Sequence, residues 1–379
     1  MRRPPDSSRF ITLFLCGDVM TGRGIDQILP YPADPTLYEA YADSALEYVA
    51  LAEALSGPIP APVDFSYIWG DALAEFERVG PDLRIINLET AVTTSDAYLP
   101  KGINYRMHPK NVPSLTAAGI DCAALANNHV LDWHQAGLVE TLETLQRTGI
   151  RTAGAGADIT AATAPAVLEV KDKGRVLVFS YGAESSGVPR EWAAGDNRPG
   201  VALLEDLSAK SVQRIAEQVQ RVRHAGDIVV ASLHWGGNWG YDISPQQSAF
   251  AHGLIDEAGV DVIHGHSSHH VKGIEVYRDR PILYGCGDFL TDYEGIQGYE
   301  SFRDDLGLMY FLQIDPATGT LVRLEMTPTR LRRFRINRAS DEEARWLQEV
   351  LNREGRHLGT EVNHGESNVL ALHWPKGSG

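Results

Sequence analysis

The sequence predicts an α/β fold, with helices layered around a central sheet. Short runs rich in Val, Ile and Leu recur without polar alternation, which suits strands covered on both faces. Amphipathic segments of helical period lie between them. Polar residues able to bind metal stand directly after most of the runs. In an open α/β sheet the carboxyl ends of the strands share one edge, and ligands bind there.

The first strand is read over Phe10–Cys16, ahead of Gly17-Asp18. Its apolar core, Phe10–Leu15, is too short to cross a bilayer, and no small-residue cleavage site precedes the Gly-Asp pair. Residues 29–66 are rich in proline and tyrosine. They are expected to form either a lid over the site or a structural insertion with packed tyrosines. Alternating elements follow: helix Gly70–Val79, strand Leu83–Leu88, helix Asn111–Ala118, strand Asp121–Ala126 and helix His134–Arg147. Strand Arg175–Tyr181, helix Ser208–His224, strand Asp227–His234, helix Pro245–Ala258 and strand Val260–His264 continue the pattern. Ser244-Pro245 supplies an N-cap and a first-turn proline. Gly226 and Gly259 stand where helix-ending glycines belong. Strands at Gly273–Tyr277, Pro281–Cys286, Gly307–Ile314 and Thr320–Met326 read as antiparallel, with residues 315–319 as a hairpin turn. A polar helix at Asp341–Leu351 and a tail from about Gly365 close the chain. One catalytic domain is therefore expected over 8–335, with a C-terminal helix and tail over 336–379.

The chain of 379 residues carries a formal net charge of −16. It has no basic footprint for nucleic acid or an anionic membrane, and neither is expected as a partner. A late arginine group, Arg330, Arg332, Arg333, Arg335 and Arg338, reads as a solvated strand edge. Cys16, Cys122 and Cys286 form no C-x-x-C pair and sit in or beside apolar runs, so free thiols in a reducing, cytoplasmic setting are expected.

The motifs at the strand ends carry the chemistry. They are Gly17-Asp18, Asn87-Leu88-Glu89, Asn127-Asn128-His129 with Asp132, Ser232-Leu233-His234-Trp235, the His-rich run His264–His270, and Gly287-Asp288. Each alone is weak: a Gly-Asp is usually a turn, and Asn127-Asn128 can be a helix cap. Six of them at successive strand ends converge on one edge and point to a metal or acid–base site. His129 with Asp132, and His266 or His269 with Asp288, are candidate acid–base pairs. Trp133, Trp235, Trp239 and Tyr293 lie beside these motifs, as do Tyr241 and Tyr299. They are candidates for the wall of a peptide-binding pocket.

The ordered motifs GDVM, NLET, ANNHVLD, SLHWG, GHSSHH and RPILYGCGDF resemble the CapA family of poly-γ-glutamate capsule synthesis, from about Ile11 to Asp292. That family is in turn similar to calcineurin-like metallophosphoesterases. The resemblance implies two packed sheets flanked by helices, a four-layer αββα arrangement, with a divalent metal (Ca, Mn, Mg or Zn) at one sheet edge. It implies Asp18, Glu89, Asn128, His234 and His266 as metal ligands. His129 and His269 match further site histidines. The chain departs from the phosphoesterase pattern at three points. Met20 stands where a ligand histidine is common, Glu89 replaces a shorter aspartate, and Gly-His-x-x-His at residues 265–269 replaces Gly-His-x-His. From the CapA pattern it departs at Asp288, where an asparagine is common. One metal is as compatible with this set as two.

The expected activity is metal-dependent modification of a peptide. The leading expectation is epimerisation at a Cα by two His/Asp pairs, as in lasso-peptide epimerases that resemble this family. The alternatives are hydrolysis of a phosphoester or amide, and a role as a poly-γ-glutamate capsule factor.

Overall fold

The computed structural model describes residues 9–375. Residue 8, at the expected domain start, and residues 376–379 of the expected tail lie outside the described residues. The chain is a mixed α/β structure built on two large sheets, one of eleven strands and one of seven.

In the larger sheet Ile11–Leu15 lies between Leu83–Leu88, to which it is parallel, and Leu306–Asp315, to which it is antiparallel. Asp18–Val19 and Cys122–Ala124 flank Leu83–Leu88, and Asp288–Leu290 pairs with Asp18–Val19 at the sheet edge. The smaller sheet places Gly174–Ala183, Ile228–His234 and Val262–His266 side by side and parallel. The right half of each sheet therefore ends its strands toward the same region.

Both faces of each sheet are covered, which accounts for the continuous apolar runs. Leu13, Leu15 and Ile85 of the larger sheet pack against Val178, Val230 and Val262 of the smaller one. Phe14 and Ile86 point the other way, onto Tyr48, Phe76 and Leu138 of the flanking helices. Leu177 and Val229 pack outward against Val219 and Leu254. The layers thus run helix, sheet, sheet, helix.

Most predicted elements appear within a few residues of their expected limits. The strand expected at Val260–His264 runs over Val262–His266, which puts His266 on its carboxyl end. The short helix Arg23–Ile28 was not expected, nor was Ala45–Ser56 inside the proline-rich stretch. The second has a readable signal, the capping box formed by Ser44 and Glu47.

The C-terminal segment differs from expectation. Leu347, Val350 and Leu351 enter the layer between the sheets. Leu370–His373 pairs with the strand Thr320–Leu331, and Glu361–His364 pairs with Leu370–His373. Residues 336–375 are part of the two-sheet body, because a strand at the open edge of the larger sheet needs a neighbour. The arginine group is only partly solvated. Arg330 pairs with Glu343 at 2.7 Å and Arg338 with Glu75, whereas Arg332 and Arg333 are exposed. All three cysteines are free and buried, and no described helix is long and apolar enough to cross a membrane.

Asp26 ties the proline-rich stretch to this body. Its buried carboxylate accepts from the Ala33 amide at 2.6 Å, the His108 amide at 2.9 Å and Asn111 Nδ2 at 2.7 Å. Asp26→Ala leaves three donors without their acceptor and is expected to cost about 2–4 kcal/mol. Urea denaturation of the variant checks this, and a loss below about 0.5 kcal/mol contradicts it.

Candidate metal centre and cleft

The two sheets meet at the carboxyl ends of their parallel strands. Asp288, Asp18 and Asn87 stand in register across the larger sheet. His234 and His266 stand in register across the smaller one. Gly17 permits the approach: a Cβ there would lie 1.8 Å from the Gly287 carbonyl oxygen. Asp18 is thereby held by Asn87 Nδ2 at 2.6 Å and by the Ser267 amide at 3.1 Å. Asp18, His234 and His266 each offer a ligand atom within 4.8 Å of the others.

A hydrogen-bond relay fixes the imidazole tautomers. The Cys16 carbonyl can only accept, so His264 Nε2, 2.7 Å away, carries a proton. A neutral His264 then accepts at Nδ1 from the Ser232 hydroxyl at 3.1 Å. The hydroxyl has given its one proton, so at 2.8 Å it accepts from His266 Nε2. That leaves His266 Nδ1 as an acceptor, 2.8 Å from His234 Nδ1, which donates. His234 Nε2 is left with a lone pair. Neutral rings fit the surroundings. Burial holds His234 and His266 well below the ordinary range, with the neighbouring imidazoles adding to the effect. Burial likewise lowers His264 to about 4.

A divalent cation fits this donor set. The free lone pair on His234 Nε2 faces two oxygens, Asn128 Oδ1 at 3.0 Å and Glu89 Oε1 at 3.7 Å. Glu89 Oε2 is buried with no hydrogen-bond partner among the described residues. Burial, then the neighbouring Asp288, pushes Asp18 up to about 7. Burial, then Asp18 and Asp288, pushes Glu89 well above the carboxylate range. A cation among these groups would relieve that cost. The expected ligands Asp18, Glu89, Asn128, His234 and His266 are therefore all brought together. Met20 turns away and accepts through sulfur from the Gly22 amide at 3.2 Å.

Two His–Asp pairs flank this centre. His129 Nδ1 lies 2.7 Å from Asp132 Oδ2, which turns Nε2 toward Glu89, 3.9 Å away. Burial lowers the His129 pKa to about 4, against the pull of Asp132. Lys101 Nζ, 2.6 Å from Asp132 Oδ1, neutralises that carboxylate. On the other side, His269 Nδ1 lies 3.0 Å from Asp288 Oδ1. Burial disfavours its charge, but Asp288, joined by Asp18 and Asp304, raises the pKa overall. His266 does not pair with Asp288 as one expectation had it, because its two nitrogens serve Ser232 and His234.

A cleft of about 510 Å³ opens onto the centre, lined by Glu89, Asn128, His129 and His269 among others. Of the candidate wall residues Trp239, Tyr293 and Tyr299 line it, and Tyr41 and Tyr105 join them. Trp133 and Trp235 do not. Trp133 is buried behind the wall, donating to the Tyr105 carbonyl at 3.0 Å beneath the Arg106 guanidinium. Trp235 points to the outer face, where it packs on Tyr284 and Phe250. Successive residues of a strand point to opposite faces, so Trp235 follows His234 away from the site. Tyr241 packs against His270 outside the cleft lining.

Sequence reasoning missed Arg23 and Lys101, and it placed Ser232 and His264 in the motifs without giving either a role of its own. Arg23 is buried in the cleft floor, bonded to Asp292 through Nε and Nη2 and to Glu39 through Nη1. Ser232 and His264 had a signal: a polar residue two before His234 and another two before His266 share their strand faces. Asn127 acts as a turn cap, its Oδ1 accepting from the amides of His129 and Val130 at 3.1 and 3.0 Å.

The fold and this centre define an α/β protein with a buried, metal-competent Asp/His site at the meeting of two sheet edges. The chain belongs to the bacterial capsule synthesis protein (PGA_cap) family, whose model matches residues 12–293. A Mycobacterium tuberculosis relative named "probable polyglutamine synthesis accessory protein" is 49% identical over 364 residues, covering 96% of each chain. The Bacillus subtilis "PGA biosynthesis protein CapA" is 29% identical, over 82% of this chain and 69% of that one. The Bacillus anthracis "capsule biosynthesis protein CapA" is 26% identical, over 58% of this chain and 51% of its own. These names bear on a capsule or polyglutamate role; none speaks of epimerisation.

The relay predicts that Ser232→Ala weakens metal binding about 10–100-fold while leaving the ligands in place. Asp18→Ala and His266→Ala are expected to abolish it. Isothermal titration with Mn²⁺ and Zn²⁺, with elemental analysis of the purified variants, checks both. Unchanged affinity in Ser232→Ala contradicts the relay.

Proposed function

We propose that this protein is a metal-dependent enzyme that acts on amide bonds of a glutamate- or glutamine-based polymer during its synthesis, on a calcineurin-like metallophosphatase fold. The observation that carries the reading is the buried Asp18/His234/His266 group, opening with Glu89 onto a cleft between two His–Asp pairs. Asp18, Glu89, Asn128, His234 and His266 would hold the metal, and this mixed nitrogen–oxygen set suits zinc or manganese better than calcium or magnesium. A bound metal supplies Lewis-acid polarisation of a carbonyl and activation of water.

The protein's own groups divide the remaining work. His129, oriented by Asp132, takes a proton through Nε2. His269, oriented by Asp288, returns one to the leaving amine. Arg23 is neutralised by two carboxylates, Asp292 and Glu39, whereas Lys101 faces Asp132 alone and is the cleft cation better placed to meet a substrate carboxylate. Its ammonium pairs with Asp132, bonds the Asn128 carbonyl and lines the cleft, where it would meet a substrate carboxylate. Trp239, Tyr293 and Tyr299 supply apolar walls for the methylene stems of the chain.

Epimerisation would use the same two pairs. The names of the relatives favour the polymer reading, and solvent isotope separates the two. Incubated with γ-linked oligoglutamate and Mn²⁺ or Zn²⁺ in deuterated water, the enzyme is expected to release shorter chains without deuterium at Cα. His129→Gln is expected to slow release about 10²–10⁴-fold. Deuterium at Cα without cleavage would replace hydrolysis by epimerisation. No turnover of γ-linked or α-linked oligomers by the metal-loaded protein would sink the enzymatic reading. Lys101→Met is expected to raise KM about tenfold for chains with free α-carboxylates and far less for their amides. An equal rise for both would remove Lys101 from substrate binding.

A further inference from the structure

The helix Ala45–Ser56 is apolar on both sides. Ala45, Tyr48, Ala52 and Ser56 are buried against the body. The opposite side presents Leu46, Ala50, Leu51, Ala54 and Leu55 to solvent, with Leu46, Leu51 and Leu55 exposed by 53%, 43% and 66%. A helix that is hydrophobic all round is normally buried on all sides. Five of the nine large exposed apolar side chains among the described residues, Leu46, Leu51, Leu55, Ile296 and Tyr299, lie here or on the neighbouring 293–300 loop; Tyr41 stands just before the helix, and Tyr31, Tyr38 and Val167 fall outside both segments. Leu55 shares a surface hollow with Ile296 of that loop, and Ile296 also lines the cleft. Concentration of exposed apolar surface at one place marks an interaction surface.

Charge identifies what covers it. Asp43 and Glu47 are exposed at the helix N-terminal end. Arg332 and Arg333 are exposed at its C-terminal end, where Arg333 Nε donates to the Ser56 carbonyl at 2.8 Å, and they outnumber the one exposed acid in the hollow there, Glu300. The surface is therefore complementary to itself when two copies lie antiparallel. The acidic end of each helix then meets the basic end of its partner, as an isologous two-fold contact requires. Ala50 and Ala54, one turn apart, let two such helices approach closely, with leucines on either side. An anionic bilayer is disfavoured by Asp43, Glu47 and the net charge of −16.

We infer that the protein forms a two-fold dimer through antiparallel pairing of Ala45–Ser56, with the 293–300 loop beside the contact. The pairing brings the partner close to the mouth of the cleft, since Ile296 lines both the hollow beside Leu55 and the cleft. This inference is independent of the chemistry proposed above.

Sedimentation velocity of the full chain over a micromolar dilution series tests it. Wild type is expected at twice the chain mass, and Ala54→Glu as a monomer with unchanged circular dichroism. Arg332→Glu is expected to weaken the dimer about tenfold or more, and Asp43→Arg added to it to restore association. This charge-swap pair keeps the test sharp if Ala54→Glu disturbs the fold. A wild type that stays monomeric, a dimer indifferent to both variants, or flotation of the chain with phosphatidylglycerol vesicles would overturn the inference.

Discussion

Everything at the centre depends on one close approach, that of the 16–18 segment to the 286–288 segment. The Asp18 amide donates to the Gly287 carbonyl at 2.9 Å, which a side chain at residue 17 would forbid. That contact closes the edge of the larger sheet. It also positions the Cys16 carbonyl to accept from His264 of the other sheet. Two sheets that share an apolar layer are thereby also locked together through polar groups at their carboxyl ends. The apolar layer sets the distance between the sheets, and this contact sets their alignment at the site.

Such a junction is costly to build. Asp18, Glu89, His234 and His266 are all withdrawn from water, and burial drives each toward its neutral form. A buried polar network is tolerable only when its members are satisfied. The relay from Cys16 to His234 satisfies one side without a net charge. The other side, with Glu89 facing the free lone pair of His234 and Asp18 close by, would be completed by a cation. The neutral relay is therefore the rigid support, and the carboxylates are the part that responds to metal. The outer pairs follow the same logic: Lys101 neutralises Asp132 behind His129, and His269 shields Asp288.

Much of this was legible because strand ends are legible. A run such as RIINLET or VVASLHW gives the strand, its direction and the residue that leaves it, and these place Glu89 and His234 without tertiary information. The run at Val262–His266 was read two residues short because Gly265 interrupts an apolar pattern, although the strand passes through it. The tryptophans were misplaced for a different reason. Proximity in sequence to a site motif does not fix which face of the strand a side chain takes, and Trp235 takes the outer one. Lys101 and Arg23 come from segments without periodicity, so no sequence signal aims them at the cleft. The C-terminal strands were hidden because their partner, Thr320–Leu331, is remote in sequence, and short polar strands gain their identity only from that partner.

The overall charge sits uneasily beside the anionic polymer proposed as substrate, and the cleft would resolve the tension locally. A net charge of −16 governs approach from a distance, where salt screens it within about 10 Å. Inside the cleft the balance is set by a few groups. Arg23 offsets Asp292 and Glu39, and Lys101 offsets Asp132. A metal would offset Asp18 and Glu89, which leaves Asp304 as the carboxylate that still faces the cleft, and burial, then Asp288, pushes it up to about 6. A chain arriving there meets near-neutral walls of tyrosine and tryptophan rather than a field of one sign. Recognition would then depend on one or two carboxylates placed against Lys101 and the metal. That arrangement suits a single residue or chain end held for chemistry better than a long polymer bound along a charged groove.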